Sequence, residues 1–409
     1  MTKIAIISDN FPPHPCGGIA TSQYNLYLCL IRKGFEVKIF TYLDNDTNEK
    51  KKDIIRRGIN KYNRILLNLR NKIVKRTLNL INSSLKDEGI SYQKYLVQVS
   101  SIGIKKINKP LKKFKPDIII IPDFGAPLYA LKKIHNSKII YVSHHNPIRF
   151  INNPLLPLHS QNDAREAIRY EQKSLWKADK IVCPSIYMKN IFINTFQTSQ
   201  EICVIPNIIS EEFIKSVKKD NLHHLLAIDE EIPIIYLPSA GSKIKGENFI
   251  CEIIRRLHMM LNGKIAFYLS GELSDSQKYE LSFFEKYKIK IFSPGKIDYI
   301  TNISYIKDCY LTISPTLLES FGMAVLESFF CDIPCICFDA GGNAEIFDLS
   351  KESCLVSYLD VEELITKSVS LLYNKEKYNE TLEFIKIDRR KFSDAYILPL
   401  YIDLINCML

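Results

Sequence analysis

Residues 314–345 read SPTLLESFGMAVLESFFCDIPCICFDAGGNAE, and the prediction of the fold starts from this stretch. The apolar run around Leu326 predicts a buried helix that begins near Phe321. The apolar residues 335–338 that follow it predict a buried strand. The backbone N–H groups of the first turn of a helix have no partner within the helix. Because Gly322 permits close approach to that backbone, the sequence predicts a binding site for an anion or a hydroxyl group.

Two glutamates flank the start of this predicted helix. Glu319 precedes the sequence SFGM, and Glu327 follows Glu319 after seven intervening residues. A carboxylate accepts hydrogen bonds from two vicinal hydroxyl groups, so the pair suits a ligand with hydroxyls at both ends. The alternative interpretation is that Glu319 caps the helix and that Glu327 is a solvated helix residue.

Strands and helices alternate through the rest of the chain. An apolar run at residues 4–7 is followed by a loop with Gly17 and Gly18, then by a helical pattern and a second strand. This order predicts a βαβ unit and hence a parallel sheet. The pattern restarts after Asn207, with a strand at residues 234–237. The sequence therefore predicts an α/β protein of two Rossmann-like, doubly wound parallel-sheet domains that face each other across a cleft.

Four residues stand where ligands of such sheets bind, just beyond the carboxyl ends of predicted strands. They are His145, Lys245, Gly271 and Glu319. His145 is either a polar group of the active site or a structural histidine. Lys245 is either a binding residue or a solvated loop lysine.

The composition excludes several classes of protein. The chain has 409 residues, 46% of them hydrophobic, which excludes disorder and small disulfide-bonded folds. The 11 cysteines show no pairing pattern, which indicates a reducing compartment. Without a signal peptide or an apolar stretch of about 18 residues, we expect a cytoplasmic protein, at most peripheral on the inner face of the cytoplasmic membrane. No NAD, ATP or metal motif is present.

A single segment accounts for the net charge of +10. Between Lys50 and Arg76 there are eleven Lys or Arg residues and one acid, Asp53. Apolar residues at steps of three and four predict an amphipathic helix or helix pair here. This basic segment either docks on an anionic membrane surface or is a solvated helix face. No RNA- or DNA-binding module is recognisable, so nucleic acid is not a predicted partner.

Together these motifs resemble those of the family 4 retaining nucleotide-sugar glycosyltransferases, of the glycosyltransferase group 1 type, which have the GT-B fold. The loop with Gly17 and Gly18, the pair Lys245 and Gly246, and the end of the chain also resemble elements of this family. The most specific match is the family's carboxy-terminal signature, which the chain meets at Ser314, Pro315, Glu319, Phe321, Gly322, Glu327, Pro334, Gly341, Gly342 and Glu345.

The resemblance implies a role for each matching residue. Glu327 would bind the ribose of a nucleotide sugar, and Glu319 would hold the transferred sugar. Lys245 would neutralise the diphosphate leaving group, and His145 would contact the sugar or the acceptor. The implied catalytic residues are His145, Lys245 and Glu319; the donor-binding residues are Lys243, Gly271, Phe321, Gly322, Met323, Ala324 and Glu327; and Gly17 and Gly18 form an acceptor or phosphate loop.

One position departs from the family pattern. The family usually has an arginine five residues before its lysine, and this chain has Ala240 there. Lys243, in the same loop, is the candidate to supply the missing positive charge. If it does not, a non-catalytic binding or partner subunit becomes the alternative function.

The resemblance implies a hexosyltransferase-type enzyme, independent of metals and cofactors. It would move a sugar, with retention, from a nucleotide-diphosphate sugar to a glycan or lipid-linked acceptor, in surface polysaccharide or lipopolysaccharide synthesis. The implied domains are residues 1–207 on the acceptor side and 208–390 on the nucleotide-sugar side, with a helix at 391–409 that returns to the first domain. A nucleotide-sugar epimerase or a glycan phosphorylase on the same fold is a further alternative.

Overall fold

The computed structural model describes residues 1–44, 52–60, 62–69, 92–151, 153, 155–156 and 161–409. Within these residues, all strands belong to two parallel sheets of seven and six strands. The strands are β1 Lys3–Ser8, β2 Glu36–Thr41, β3 Ile54–Arg56, β4 Ile118–Pro122, β5 Lys138–Val142, β6 Lys180–Cys183, β7 Ile202–Val204, β8 Ile234–Leu237, β9 Ala266–Ser270, β10 Lys290–Gly295, β11 Leu311–Ser314, β12 Cys335–Phe338 and β13 Leu355–Val356.

Helices cover the faces of both sheets. They are α1 Gly18–Arg32, α2 at 62–69, α3 Tyr92–Phe114, α4 Pro127–Ala130, α5 Gln161–Gln172, α6 Ile186–Thr195, α7 Glu211–Ser216, α8 Leu222–Leu226, α9 Glu247–Met260, α10 Asp275–Ser282, α11 Tyr299–Ile306, α12 Met323–Phe330, α13 Lys351–Cys354, α14 Val361–Tyr373, α15 Lys375–Asp388 and α16 Asp394–Asn406.

The strand order of the first sheet is β3-β2-β1-β4-β5-β6-β7, and that of the second is β10-β9-β8-β11-β12-β13. Parallel strands covered on both faces consist of nearly continuous apolar residues. The strand β4, with the sequence IIIIP, is buried along its whole length. The predicted α/β architecture of two doubly wound parallel sheets is therefore confirmed.

The last helix, α16, leaves the second half of the chain and packs on the first sheet. Ile397 and Ile405 belong to the same apolar cluster as Ile4 of β1. The chain passes between the two sheets twice, once near Ile209 and once just before α16. The two passages lie side by side, since the backbone N–H of Ile209 donates to the carbonyl oxygen of Phe392 at 3.3 Å. The limits proposed for the domains, at 207/208 and 390/391, stay a prediction.

The basic segment differs in part from its prediction. Residues Ile54–Arg56 are a strand rather than part of a helix, because they extend the ladder of β2, with Ile39 opposite Ile54. A strand of three residues is too short to show a period of two in the sequence. Residues 62–69 are helical, as predicted. Residues 52–53 and 57–60 form a turn and a loop, and residues 50–51, 61 and 70–76 lie outside the described residues. No helix among the described residues is long and apolar enough to cross a membrane.

Candidate functional site

A cavity of about 770 Å³ lies between the carboxyl ends of the two sheets. Its volume is in the range of pockets that bind small molecules and cofactors, roughly 300–1,000 Å³. Lys243 is exposed and is not among the residues that line it. All the other predicted site residues line the cavity, namely Gly17, Gly18, His145, Lys245, Gly271, Glu319, Phe321, Gly322, Met323, Ala324 and Glu327.

The strand order of the second sheet fixes the order of its loops along this cavity. Lys296 follows β10, Gly271 follows β9, Lys245 follows β8 and Glu319 follows β11. Since the sheet order is β10-β9-β8-β11, a long ligand lying across the sheet meets these residues in the same order. The arrangement suits an elongated molecule whose parts differ in chemistry.

Two helices begin at the cavity. Helix α12 starts at Met323, two residues after the predicted start, with Gly322 as its N-cap at a φ of +122°. A Cβ atom on Gly322 would lie 2.7 Å from Cδ1 of Ile346, so only glycine fits there. Helix α1 starts at Gly18, next to Met323. The positive ends of two helix dipoles therefore face the same cavity.

Lys245 and Glu319 form an ion pair on the cavity wall. The Nζ atom of Lys245 lies 2.5 Å from Oε2 of Glu319, whose other oxygen accepts from the backbone N–H of Ser320 at 3.0 Å. Burial would raise the pKa of Glu319, but Lys245 and Arg149 lower it below its ordinary value. Glu319 is therefore a carboxylate at neutral pH. The N-cap of α12 is Gly322, so the interpretation of Glu319 as the helix cap is wrong.

Glu327 is buried at the other side of the start of α12. Burial raises the pKa of Glu327 to about 8. Hydrogen bonds from Thr21 and Tyr299 lower the pKa, but their effect is smaller than that of burial. The free protein therefore holds Glu327 mainly protonated at pH 7. The interpretation of Glu327 as a solvated helix residue is wrong, because its side chain lines the cavity next to α1.

Both histidines after β5 line the cavity. They lie beyond Val142, the last residue of the strand, so the side-to-side alternation of a strand does not separate them. The carboxylate of Asp123 accepts hydrogen bonds from the backbone N–H groups of His144 and His145 and holds this loop in place. Burial lowers the pKa of His144 to about 4, so its ring is neutral at pH 7. Nε2 of His145 lies 3.1 Å from Oε1 of Gln93.

The position of the missing arginine is closed to a long side chain. Ala240 is fully buried in the apolar cluster above β8. Its backbone N–H donates to Ser270, and its carbonyl oxygen accepts from Gln277 at 2.8 Å. Because Lys243 is exposed and is not among the residues that line the cavity, the proposal that Lys243 replaces the arginine has no support from its position.

Sequence reasoning missed three residues of the site. Asp123 directly follows β4, so the rule that ligands bind beyond strand ends could have identified it. Gln93 comes from α3, far along the chain, and no pattern connects it with His145. Arg149, four residues after His145, lines the cavity from a 3₁₀ turn at Pro147–Phe150, and its sequence context gives no signal of this.

Comparison with known families accounts for both halves of the chain. Residues 16–213 match the family model Glycosyltransferase Family 4, and residues 218–386 match Glycosyl transferases group 1. Both halves of the chain therefore match models of glycosyltransferase families. A comparison of the chain with curated protein sequences finds no match.

Solved structures share the whole fold of this chain. Sucrose-phosphate synthase from Thermosynechococcus elongatus is 16% identical, with a TM-score of 0.74 and 100% of both chains covered. Anabaena HepE in complex with UDP and glucose is 13% identical, with a TM-score of 0.68 and 100% of both chains covered. A mutant of S. aureus TarM with Fondaparinux, alpha-GlcNAc-glycerol and UDP is 14% identical, with a TM-score of 0.67 over 99% of this chain and 100% of that one. At these identities the likeness establishes the GT-B fold.

Proposed function

We propose that the protein transfers a sugar from a nucleotide-diphosphate sugar to a hydroxyl group of a glycan or a lipid-linked acceptor, with retention of anomeric configuration. The observation that carries the proposal is the ion pair of Lys245 and Glu319 beside the start of α12. It places an ammonium group and a carboxylate next to each other in one cavity. A nucleotide sugar has a diphosphate that needs the first group and hydroxyls that need the second.

From the order of the loops we infer where each part of the donor binds. The nucleoside lies on the side of Gly271 and Lys296, and Glu327 accepts hydrogen bonds from the ribose hydroxyls. The diphosphate lies at Lys245 and at the N-termini of α1 and α12. The transferred sugar then lies at Glu319, between the diphosphate and His145.

Transfer breaks the bond between the anomeric carbon and the oxygen of the β-phosphate, and the bonding electrons leave with that oxygen. The acceptor oxygen forms the new bond to the anomeric carbon, and its proton passes to the leaving phosphate. Lys245 stabilises the negative charge that develops on the diphosphate, which is the largest charge change in the reaction. His145 contributes a polar ring at the sugar, and no step requires a metal ion or a cofactor.

The comparisons support the class of donor. HepE was solved with UDP and glucose, and TarM with UDP and two saccharides. We extend a nucleotide-sugar donor, and a hexose as the transferred sugar, to this chain as proposals. Surface polysaccharide or lipopolysaccharide synthesis is the proposed setting. The described part of the basic segment supports a membrane-bound acceptor, because helix 62–69 exposes Tyr62, Ile65 and Leu66 beside Arg64.

The donor site is tested by thermal stabilisation with UDP-, GDP-, ADP- and CMP-sugars. A ligand that binds only the folded protein stabilises it, by about 2.7 kcal/mol when the ligand concentration is a hundred times Kd. The melting temperature rises as a result. We expect a shift with one nucleotide class, lost in Glu327→Ala and Lys245→Ala. Product analysis without an acceptor then separates a transferase from an epimerase. The absence of a shift with every sugar nucleotide at millimolar concentration would contradict the proposal and favour the non-catalytic subunit.

The affinity for the intact nucleotide sugar is expected to rise with pH. Glu327 has a pKa of about 8 in the free protein, and its carboxylate form accepts more hydrogen bonds from ribose than the protonated form. Binding therefore releases the proton of Glu327. The affinity for the nucleotide sugar rises from about pH 6, by at most tenfold per pH unit, and levels off above the pKa. Calorimetry in buffers of different ionisation enthalpy measures this proton release. Glu327→Gln should bind more weakly and without the pH dependence; an unchanged slope in that variant would contradict the assignment.

A further inference from the structure

A second cavity, of about 390 Å³, continues the first beyond Glu319. Among the described residues, only Arg149 and Leu318 line both cavities. The walls of the second cavity come from the loops after β12 and β13, which contribute Gly341 and Tyr358, and from Tyr187 on the first domain. In the sheet order β8-β11-β12-β13, these loops lie on the far side of Glu319 from Lys245. The second cavity therefore begins where the transferred sugar of the proposed donor ends.

The Arg149 side chain is fixed at the junction of the two cavities. Its Nη1 atom donates to the carbonyl oxygens of His144 and His145, at 3.1 and 3.2 Å. The ring of Tyr187 lies 5.8 Å from the guanidinium carbon and packs on one face of the group. These contacts hold the guanidinium in place without neutralising its charge, because both hydrogen-bond acceptors are uncharged.

The positive charge of Arg149 has no close counter-ion among the described residues. No carboxylate in this part of the chain lies within 4.0 Å of its nitrogen atoms. Glu319, which acts on Arg149 through space, is in direct contact with Lys245 at 2.5 Å. The Nε atom of Arg149 is buried and has no hydrogen-bond partner in the part of the chain that the structure describes. A buried donor on a charged group without a partner is costly, and an anionic ligand would remove that cost.

We infer that Arg149 binds a carboxylate or phosphate group carried beyond the transferred sugar, either on that sugar itself or on the acceptor. Arginine offers a planar pair of donors that matches both groups. The inference rests on the proposed function, because it places the donor in the first cavity. We assign the diphosphate to Lys245 and not to Arg149, because Arg149 also lines the second cavity, whose loops after β12 and β13 lie on the far side of Glu319 from Lys245.

The substrate class that follows is acidic. If the anion belongs to the donor, the transferred sugar is a hexuronic acid, whose carboxylate replaces the terminal CH₂OH of a hexose. If it belongs to the acceptor, the acceptor carries a phosphate or carboxylate close to the hydroxyl that is glycosylated. Tyr187 and Tyr358, in the second cavity, supply aromatic faces suited to the sugar ring of such an acceptor.

The first arm of the experiment compares donors that differ in one carboxylate. Binding of UDP-glucose and UDP-glucuronate, and of GDP-mannose and GDP-mannuronate, is measured with the wild type and Arg149→Gln. A charge-assisted hydrogen bond changes affinity by about tenfold or more. If the anion is on the donor, the wild type prefers the acidic sugar by this factor, and Arg149→Gln loses the preference while binding free UDP or GDP as before.

The second arm measures anionic groups of the acceptor. Binding of glycerol 3-phosphate is compared with that of glycerol, with and without the nucleoside diphosphate. A preference for the phosphate that Arg149→Gln abolishes assigns the anion to the acceptor. Arg165→Gln, an exposed arginine on α5 of the same domain, is the matched control and should retain both preferences. Arg149→Lys retains the charge and should keep part of the preference, including when Arg149→Gln folds poorly.

A purely structural role for Arg149 predicts a different result. The variants would then lower the melting temperature without changing the ratio of affinities for acidic and neutral ligands. The absence of an Arg149-dependent preference in both arms would overturn the inference and leave the proposed function intact. Failure of the wild type to bind any nucleotide or nucleotide sugar would instead contradict the proposed function, and the arm without nucleotide would still decide whether Arg149 binds an anion.

Discussion

Lys245→Ala is expected to lower kcat for sugar transfer by about a thousandfold, with a smaller effect on KM. Removal of one preorganised group that stabilises transition-state charge typically costs 10²–10³ in rate, roughly 3–4 kcal/mol. In this site the effect should lie at the upper end. Among the described residues, the other cations that line the cavity are Lys296, after β10, and Arg149, which also lines the second cavity. Ala240 stands where the family pattern has an arginine, so Lys245 is the cation to which we assign the diphosphate.

The same substitution also removes the partner of Glu319. A carboxylate left in a buried site without its ammonium group has a raised pKa, so part of the loss would come from a protonated Glu319. The double variant Lys245→Ala with Glu319→Gln separates the two effects. It removes the carboxylate together with the ammonium group, so no charge of this ion pair is left without its partner. Steady-state kinetics should show that Lys245→Arg recovers part of kcat.

The matched control for Lys245→Ala is Lys264→Ala, an exposed lysine after α9, which should leave kcat and KM unchanged. Lys243→Ala tests the remaining hypothesis about the missing arginine. From the exposed position of Lys243 we expect a change of less than about threefold, as for a screened surface charge. If Lys245→Ala retained most of the wild-type kcat, the proposed place of the diphosphate would be wrong.

Gly246→Ala should destabilise the protein by about 3 kcal/mol and also lower kcat, although it changes no charged group. Gly246 has a φ of +84°, a conformation that costs an L-residue about 1–2 kcal/mol. A Cβ atom there would lie 2.0 Å from the carbonyl oxygen of Pro315, so the backbone must move by about 1 Å. That movement shifts Lys245, the neighbouring residue, relative to Glu319.

Gly34→Ala is the control for the backbone conformation alone. Gly34 has a φ of +87°, and nothing lies within 4 Å of its Cβ position. It should cost only about 1 kcal/mol and leave kcat unchanged. The two variants are compared by their thermal unfolding midpoints and by steady-state kinetics. Equal losses of stability would show that the close approach of Gly246 to Pro315 has no energetic consequence.

The sequence predicted the central strands well and missed two short edge strands. Strands β8 at Ile234–Leu237 and β12 at Cys335–Phe338 have the predicted bounds, because buried apolar runs are strong local signals. The edge strands Ile54–Arg56 and Leu355–Val356 were missed. They are two or three residues long and exist because a neighbouring strand offers hydrogen bonds, which no local pattern reveals.

The candidate site shows the same division. Glu319, Gly322 and Glu327 could be predicted because they share one short segment whose spacing is fixed by a helix. The ion pair of Lys245 with Glu319 could not, because it joins residues 74 positions apart in the sequence. Arg149 could not be predicted either, since its importance comes from the meeting of two domains.

The return of α16 to the first sheet has a consequence for how the protein is made. During synthesis β1 emerges long before α16, whose Ile397 and Ile405 belong to the same apolar cluster as Ile4 and Ile6. The first domain therefore cannot complete its core until α16 has left the ribosome. In the sequence the second domain lies between two parts of the first, and its two ends meet near Ile209 and Phe392. The second domain can therefore fold before the first is complete. A nascent chain stalled before residue 394 would expose this face of the sheet to chaperones.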